Sequence, residues 1–439
     1  MENKNINVII IGAGIGGLCL AQGLKKAGIK FTVYERNKDN DTWLEGYRIH
    51  VNPIGSRALY ECLPTHLWNA FLAAAGDETD GFAFMTEQLK ELVFIEADMM
   101  VGYTKDPSKS QYAASRKMLR YVLQADIEEN IIYDKTFVRY EQTPNGNVKA
   151  FFEDGTSASG DLLVGADGSN SIVREQLLPN AERILTDAVA VAGRTKLNEN
   201  TRNWLPNSLT TRMNVVMPLK KYFFFSAVFD HKIKNENSAE EIKQAAIKAG
   251  INPNNFFDNN ENYILWAFIA HKKEFVAEFK NQKDDLQISV LGKISNWNSD
   301  IKRLVKESDE NSLIFLPFKV MLPIKNWKST NVTILGDAVH NMPPLYGMGA
   351  NMAMHDACLL CRAIVETNSN KKVLSQSLET FQDIMLKDGF GALNISMKYT
   401  QQAISYNWLN RFVSHTWFKL CQKIPAIKQY TFGKRWSKE

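Results

Sequence analysis

Cysteine is scarce: the 439-residue chain has five, Cys19, Cys62, Cys358, Cys361 and Cys421. An odd handful in a chain this long excludes a disulfide framework and fits a reducing cytoplasmic location. Cys358 and Cys361 make one C-x-x-C, but it lies in an apolar helical run at 353–364 with no second pair and no histidine cluster. A buried helix position is the expectation, not a zinc or redox centre. The seven histidines show no ligand spacing, so no metal is expected. Long apolar runs are missing too. The longest near the start, 8–20, is broken by four glycines, and 2–7 is polar, so neither a membrane span nor a secretory signal is expected. Neither sign of charge dominates: 52 basic against 48 acidic residues leave +4, too little to argue for a nucleic-acid partner. Repeats and low-complexity linkers are absent. What remains is an ordinary globular composition in a chain long enough for two closely packed domains.

Glycine is where the sequence becomes specific. Residues 8–17, VIIIGAGIGG, read as a buried strand followed by the spacing G-x-G-x-x-G at Gly12, Gly14 and Gly17, with Ile15 and Gly16 between, and then a helix over 18–27. Gly12 permits the tight turn, Gly14 lets backbone approach a pyrophosphate, and Gly17 lets helix pack on sheet, while the helix N-terminus offers free N–H groups to phosphate. A second strand, 31–35, ends in Glu35 and is followed by Arg36. Glu35 lies 18 residues after Gly17, where such folds place a carboxylate that accepts from an adenosine ribose. That carboxylate would repel a 2′-phosphate, which disfavours NADP in this site and leaves FAD and NAD.

Further along, 46–51 reads as a strand, 53–63 as a helix, and 112–123 as an extended entry into an amphipathic helix. A hairpin is expected over 137–143 and 148–153. From about 183 the texture becomes β-rich, with strands expected at 188–195, 208–217, 222–229 and 263–270. The parallel-strand pattern returns at 331–335, a long helix covers 350–365, and everything from 371 is helical. The fold class expected is α/β: a Rossmann-like nucleotide-binding domain in two parts, 1–182 and 321–372, an inserted β-rich substrate domain at 183–320, and C-terminal helices at 373–439.

Two more motifs repeat the logic of strand, glycine and acid. Residues 162–174, LLVGADGSNSIVR, carry Asp167 and Gly168 after a buried strand. Residues 332–360, VTILGDAVHNMPPLYGMGANMAMHDACLL, carry Gly336 and Asp337, a double-proline turn, then Gly347 and Gly349 before a helix. A carboxylate at a strand's C-terminal end suits a polyol hydroxyl. If the helix beginning near Gly349 faces a flavin's pyrimidine edge, its dipole would favour the negative charge that develops there on reduction.

These three motifs, in this order, resemble the class A flavin monooxygenases, whose fold is that of p-hydroxybenzoate hydroxylase. The resemblance covers roughly residues 6–400. It implies FAD as cofactor, with Gly12, Gly14, Ile15, Gly16, Gly17, Glu35 and Arg36 around its ADP half. It implies Arg48, Arg116, Asp167 and Gly168 near the flavin or its phosphates. Gly336 and Asp337 are implied at the ribityl chain, and Pro344, Gly347, Gly349, Ala350 and Asn351 along the flavin. NADPH or NADH would donate hydride, the reduced cofactor would activate O2, and one oxygen atom would enter an aromatic or polycyclic small molecule. The lack of a second G-x-G-x-x-G agrees, since this class has no separate nicotinamide domain. Arg212, Phe224, Trp266 and His271 are the candidate substrate contacts, and His340 is expected to support its loop instead of moving protons.

The terminal segment 406–424 resembles the C-terminal lid of the tetracycline-inactivating flavoenzymes, the tetracycline destructases, which makes a tetracycline the specific substrate expected. Phenol or salicylate hydroxylation, or flavin reduction without oxygen transfer, are the alternatives. The same segment also reads as a basic amphipathic helix able to lie on an anionic membrane. Packing across the two domains is favoured over membrane contact, and a monomer is expected.

Overall fold

The computed structural model describes residues 6–38, 48–76, 80–99, 104–230, 236–257, 262–275, 283–369 and 371–433. Two sheets organise the chain. The first has five parallel strands, in the order Val332–Ile334, Leu162–Gly165, Asn7–Ile11, Lys30–Tyr34, Ile131–Ile132. Its central strands are almost wholly apolar because both faces are covered, one by helices Ile15–Lys26 and Gly349–Asn368, the other by a three-stranded antiparallel sheet, Phe137–Gln142, Val148–Phe152 and Ser157–Gly160. Helices Ile15–Lys26 and Gly349–Asn368 pack together on it at two glycines. A Cβ on Gly16 would stand 2.8 Å from Leu335 and 3.2 Å from Ala353, and one on Gly23 would stand 2.8 Å from the Cys361 sulfur. Cys361 and Cys358 are therefore buried helix residues, as expected.

The second sheet has seven strands, in the order Ile314–Met321, Arg183–Lys196, Tyr263–His271, Phe223–Phe229, Met213–Val216, Gly81–Met85, Glu91–Glu96. It is not confined to 183–320. Strands Gly81–Met85 and Glu91–Glu96 come from the first segment of the chain, and Met213–Val216 pairs with Gly81–Met85 in parallel. Sequence periodicity does not reveal such a pairing, because it joins segments 130 residues apart. The expected strand at 208–217 is half helix: Asn207–Thr211 forms a short turn capped by Pro206, with Leu209 buried, and only Met213–Val216 is extended. The Thr210 and Thr211 hydroxyls donate back to the Asn207 carbonyl.

One face of this sheet is packed by helices Lys283–Lys293 and Ser299–Lys306, forming a core with Phe224, Trp266, Phe268 and Trp297. The opposite face looks toward the loop at 343–348. A two-stranded ribbon, Arg48–Val51 with Tyr112–Ser115, lies at the seam between the sheets; Gly46 and Tyr47, the start of the expected strand, lie outside the described residues.

The last segment holds three helices, Leu374–Ile404, Trp408–Lys423 and Pro425–Phe432. Leu374–Ile404 bridges the two sheets: Phe381 and Met385 join the first core, and Ala403 joins the exposed side of the second sheet. The expectation that 406–424 packs across both domains is not met. Helix Trp408–Lys423 sits on the second sheet's edge strand Glu91–Glu96, where Gln422 accepts from the Phe94 amide at 2.9 Å.

Candidate functional site

The glycine turn is built on close approaches that only glycine allows. Gly12 has φ +107°, and a Cβ there would stand 2.5 Å from the Ala166 carbonyl oxygen; a Cβ on Gly17 would stand 2.2 Å from the Gly12 oxygen. Gly14 differs, with nothing nearer than the Ala166 oxygen at 3.9 Å, so its outer side is open. Helix Ile15–Lys26 begins at Gly14 with no side-chain cap and no acid in its first turn. Its amides thus face open space with positive partial charge. Glu35, at the end of the neighbouring strand and 3% exposed, accepts the Ala13 amide at 2.7 Å through one carboxylate oxygen and the Asn37 amide at 3.0 Å through the other. The acid therefore fastens the turn. Arg36 is exposed beside it, and Ile15 is buried.

The second motif stands against the first. Asp167 Oδ2 accepts the amides of Ile172 (2.8 Å) and Val173 (3.3 Å), capping helix Ile172–Leu177 together with Ser171. Its Oδ1 is buried with no partner. Burial raises the Asp167 pKa, against the pull of those hydrogen bonds. An orphaned buried carboxylate oxygen beside an open glycine is what a ligand hydroxyl or phosphate-bound water would satisfy. Gly168, at φ +77°, has open space on its side-chain position.

The third motif closes the site. Gly336, at φ +63°, turns the chain so that Asp337 begins a short helix, and a Cβ on Gly349 would lie 3.8 Å from Asp337 Oδ1. The twenty-residue helix Gly349–Asn368 also starts without a side-chain cap or first-turn acid. Two uncapped helix N-termini and two strand-end carboxylates thus stand side by side at the ends of neighbouring parallel strands. Helix Arg116–Gln124 runs between them. Burial lowers the Arg116 pKa, opposed by the charge of Asp337, and one turn on Arg120 is 4% exposed with Nη2 3.4 Å from the Ala13 oxygen. Burial lowers the Arg120 pKa too, with Glu35 among the groups opposing it. Arg120 was missed in the sequence, although its spacing of four from Arg116 in R-K-M-L-R puts both on one helix face.

Asn351 is wholly buried and fully engaged. Its amide donates to the oxygens of His50 (2.8 Å) and Gly347 (2.9 Å), and its Oδ1 accepts the Asn52 amide at 2.9 Å. It ties the loop at 343–348 to the ribbon. Pro344 opens a single helical turn, Pro344–Tyr346, ended by Gly347 at φ +64°; Ala350 follows in the first turn of the long helix. The loop is braced from behind by Ser396, which donates to the Pro343 oxygen at 2.5 Å, and by stacking of Tyr346 on Tyr399.

Arg48 points under the second sheet, donating to the Val228 oxygen at 3.1 Å. Burial pulls its pKa to about 10 despite nearby Tyr263, and burial with the Arg48 charge pulls neighbouring His50 to about 4. Both are set at the seam between the two sheets. The four proposed substrate contacts fare differently. Phe224 and Trp266 are completely buried, stacked at 5.9 Å on the helix-covered face, with the indole donating to Ser308 at 2.7 Å. Arg212 pairs with Glu91 at 2.7 Å near the far edge of the sheet, and His271 accepts the Lys273 amide at the end of its strand. Phe224, Trp266 and Arg212 thus lie away from the loop at 343–348, whereas His271 pairs across with Ala188 and shares the strand face of Ala267 and Ile269. The side chains one position from Phe224 and Trp266 do face the loop: Phe223, Phe225 and Ala267 are partly buried in the same apolar cluster as Leu345. A one-residue step along a strand exchanges the faces.

Comparison with known proteins agrees with this geometry. A family model described as FAD binding domain matches residues 5–287 and 317–382. The dual O-methyltransferase/FAD-dependent monooxygenase CTB3 of Cercospora beticola is 30% identical over 389 residues, 83% of this chain, and the chain spans 43% of that relative's length. The structure of an FAD-containing monooxygenase from Photorhabdus luminescens superposes with TM-score 0.79 at 32% identity, covering 91% of this chain and 98% of that one. Klebsiella pneumoniae HpxO, complexed with FAD and uric acid, shares the fold at TM-score 0.75 and 19% identity over 98% of each chain. This chain therefore belongs to the FAD binding domain family, that of the class A FAD-dependent monooxygenases.

Proposed function

We propose that the protein is an FAD-dependent monooxygenase that draws electrons from NADPH or NADH and transfers one oxygen atom of O2 to an aromatic or polycyclic small molecule. The observation that carries the reading is the pairing of two surfaces: an open cradle of glycines, strand-end acids and uncapped helices, and beside it an apolar sheet face, Phe223, Phe225 and Ala267, turned toward the loop at 343–348. In this reading Gly12, Gly14 and Gly17 with the first helix N-terminus hold the pyrophosphate. Glu35 takes the ribose, Asp167 and Gly168 stand near the phosphates, and Asp337 takes the ribityl hydroxyls, with Arg116 beside it. Gly347, Gly349, Ala350 and Pro344 let the isoalloxazine approach, and Asn351 holds their loop in place. Bound FAD supplies hydride acceptance and oxygen activation. The chain's own part is to position the substrate's ring on the sheet face and keep water out.

Small residues favour a large planar occupant. Ala188, Ala190 and Ala192 alternate along one strand toward the loop, opposite Ala267 and Ile269. Uric acid, named with HpxO, is a planar ring of the same general kind. A tetracycline is the polycyclic member of this class suggested by the terminal segment. The test is a visible spectrum of the purified protein, then NADPH, NADH and O2 consumption against tetracyclines, phenols and salicylate, with product mass. A colourless protein that takes up no FAD overturns the cofactor assignment, and products without added oxygen overturn monooxygenation.

A further inference from the structure

Helix Trp408–Lys423 has two unlike faces. One is seated on the second sheet. Arg411 donates to the Pro218 and Tyr222 oxygens, both at 2.8 Å, the His415 ring meets the Met217 oxygen at 2.7 Å, Phe418 stacks on Phe84 at 4.4 Å, and Cys421 is completely buried. The other face is apolar and open. Trp408, Leu409, Phe412, Val413, Trp417 and Leu420 are each between 37% and 62% exposed. They fall as the neighbours 408 and 409, then 412 and 413, then 417 and 420, which keeps all six within one half of the helix circumference. A helix face turned to water is ordinarily polar, so a continuous stripe of this length marks a contact surface.

Charge selects the occupant. Between Asp388 and Glu439 the sequence has no acidic residue, yet it has Lys398, Arg411, Lys419, Lys423, Lys428, Lys434, Arg435 and Lys438, in a chain that is otherwise nearly balanced. Lys428 is paired with Glu96, and Arg411 is used up on backbone oxygens. Lys419 and Lys423 are exposed on the same side as Trp408 and Phe412 and make no ion pair among the described residues. A second copy of the chain laid on this patch would bring the same lysines and no carboxylate from the helix, a poor self-complementary contact. An anionic bilayer brings phosphates for the lysines and a headgroup layer in which tryptophan is at home.

We propose that helix Trp408–Lys423 lies in the plane of an anionic lipid surface, its apolar stripe at headgroup depth and Lys419 and Lys423 on lipid phosphates. The contact is peripheral, since no described helix is long and apolar enough to cross a membrane. The surface lies close to the site: helix Leu374–Ile404, which ends just before it, brings Ile404 into the same apolar cluster as Leu345 and Phe223.

Flotation of the full-length protein with phosphatidylcholine vesicles, with and without about one-third phosphatidylglycerol, tests this. The protein should float only with the anionic vesicles and detach as salt rises from about 0.1 M to about 1 M. Lys419→Gln with Lys423→Gln should lower partitioning roughly 25-fold, about fivefold per lysine. Trp408→Ser with Phe412→Ser should abolish it. Circular dichroism and melting temperature should stay unchanged in all of these, because the altered side chains are exposed. Failure of the wild type to float, or variants that float as well as the wild type, would overturn the proposal. So would a wild-type dimer that Phe412→Ser dissociates, which would make the stripe a protein interface.

Discussion

His340 and Asp356 form an ion pair with no exposed surface, Nε2 to Oδ2 at 2.6 Å, and the same Asp356 oxygen accepts the Gly336 amide at 2.9 Å. The pair lies directly behind the turn that presents Asp337. Burial works against charge on His340, but the Asp356 carboxylate outweighs it and the pKa is raised above 6.5. A raised folded-state value means that the pair's stabilisation is fully present below about pH 6.5 and is lost as pH climbs through the folded value. His340→Leu should cost about 3–5 kcal/mol, because it strands a buried carboxylate. Melting curves of wild type and variant from about pH 6 to about pH 9 should converge as pH rises; a constant gap would refute the pairing.

Gly389→Ala should destabilise by about 1–3 kcal/mol. Its Cβ would stand 2.3 Å from the His340 ring, which Asp356 holds in place, whereas a Cβ on Gly391 in the same helix meets nothing within 4 Å. Gly391→Ala should instead be neutral or stabilise by up to about 1 kcal/mol through helix propensity. Denaturant unfolding of the two variants side by side decides the matter, and equal effects would contradict the packing.

Glu35→Gln should weaken FAD binding by about ten- to a hundredfold, the worth of one or two charge-assisted hydrogen bonds. The carboxylate both fastens the Ala13 amide and stands where the ribose is proposed to lie. Fluorescence quenching of FAD titrated with apoprotein measures the change, and an unaltered Kd would remove Glu35 from the cofactor site.

The two faces of strand Tyr263–His271 should answer differently. Trp266→Ala opens a cavity in the helix-covered core and loses the Ser308 hydrogen bond, for about 3–5 kcal/mol of stability. Ala267→Phe should leave the melting temperature within a few degrees while filling the proposed substrate space, raising KM severalfold for the largest substrates first. An Ala267→Phe protein with wild-type KM across the panel would place the substrate elsewhere.

Much of this was legible in the chain. The turn at Gly12, Gly14 and Gly17, the acid at Glu35, and the motifs at Asp167 and Asp337 are local patterns, each made by strand period, helix start and glycine freedom within about thirty residues. Arg120 could have been found by counting four from Arg116. The place of the hairpin Gly81–Met85 and Glu91–Glu96 in the second sheet could not, because it joins that sheet through Met213–Val216, distant in sequence.

By itself the sequence determined the strand–turn–acid units and the alternation along the second sheet, since both follow from backbone geometry. Alternation defines two faces without saying what covers each, and here helices cover one while the loop at 343–348 faces the other. Only the tertiary structure decided that Phe225 and Ala267 face the loop at 343–348 while Phe224 and Trp266 face the helix-covered core. It likewise decided that Asn351 is consumed by His50, Asn52 and Gly347, and that helix Trp408–Lys423 turns its apolar side outward. A side chain's neighbours across space depend on which elements the whole chain brings together, and no local period encodes that.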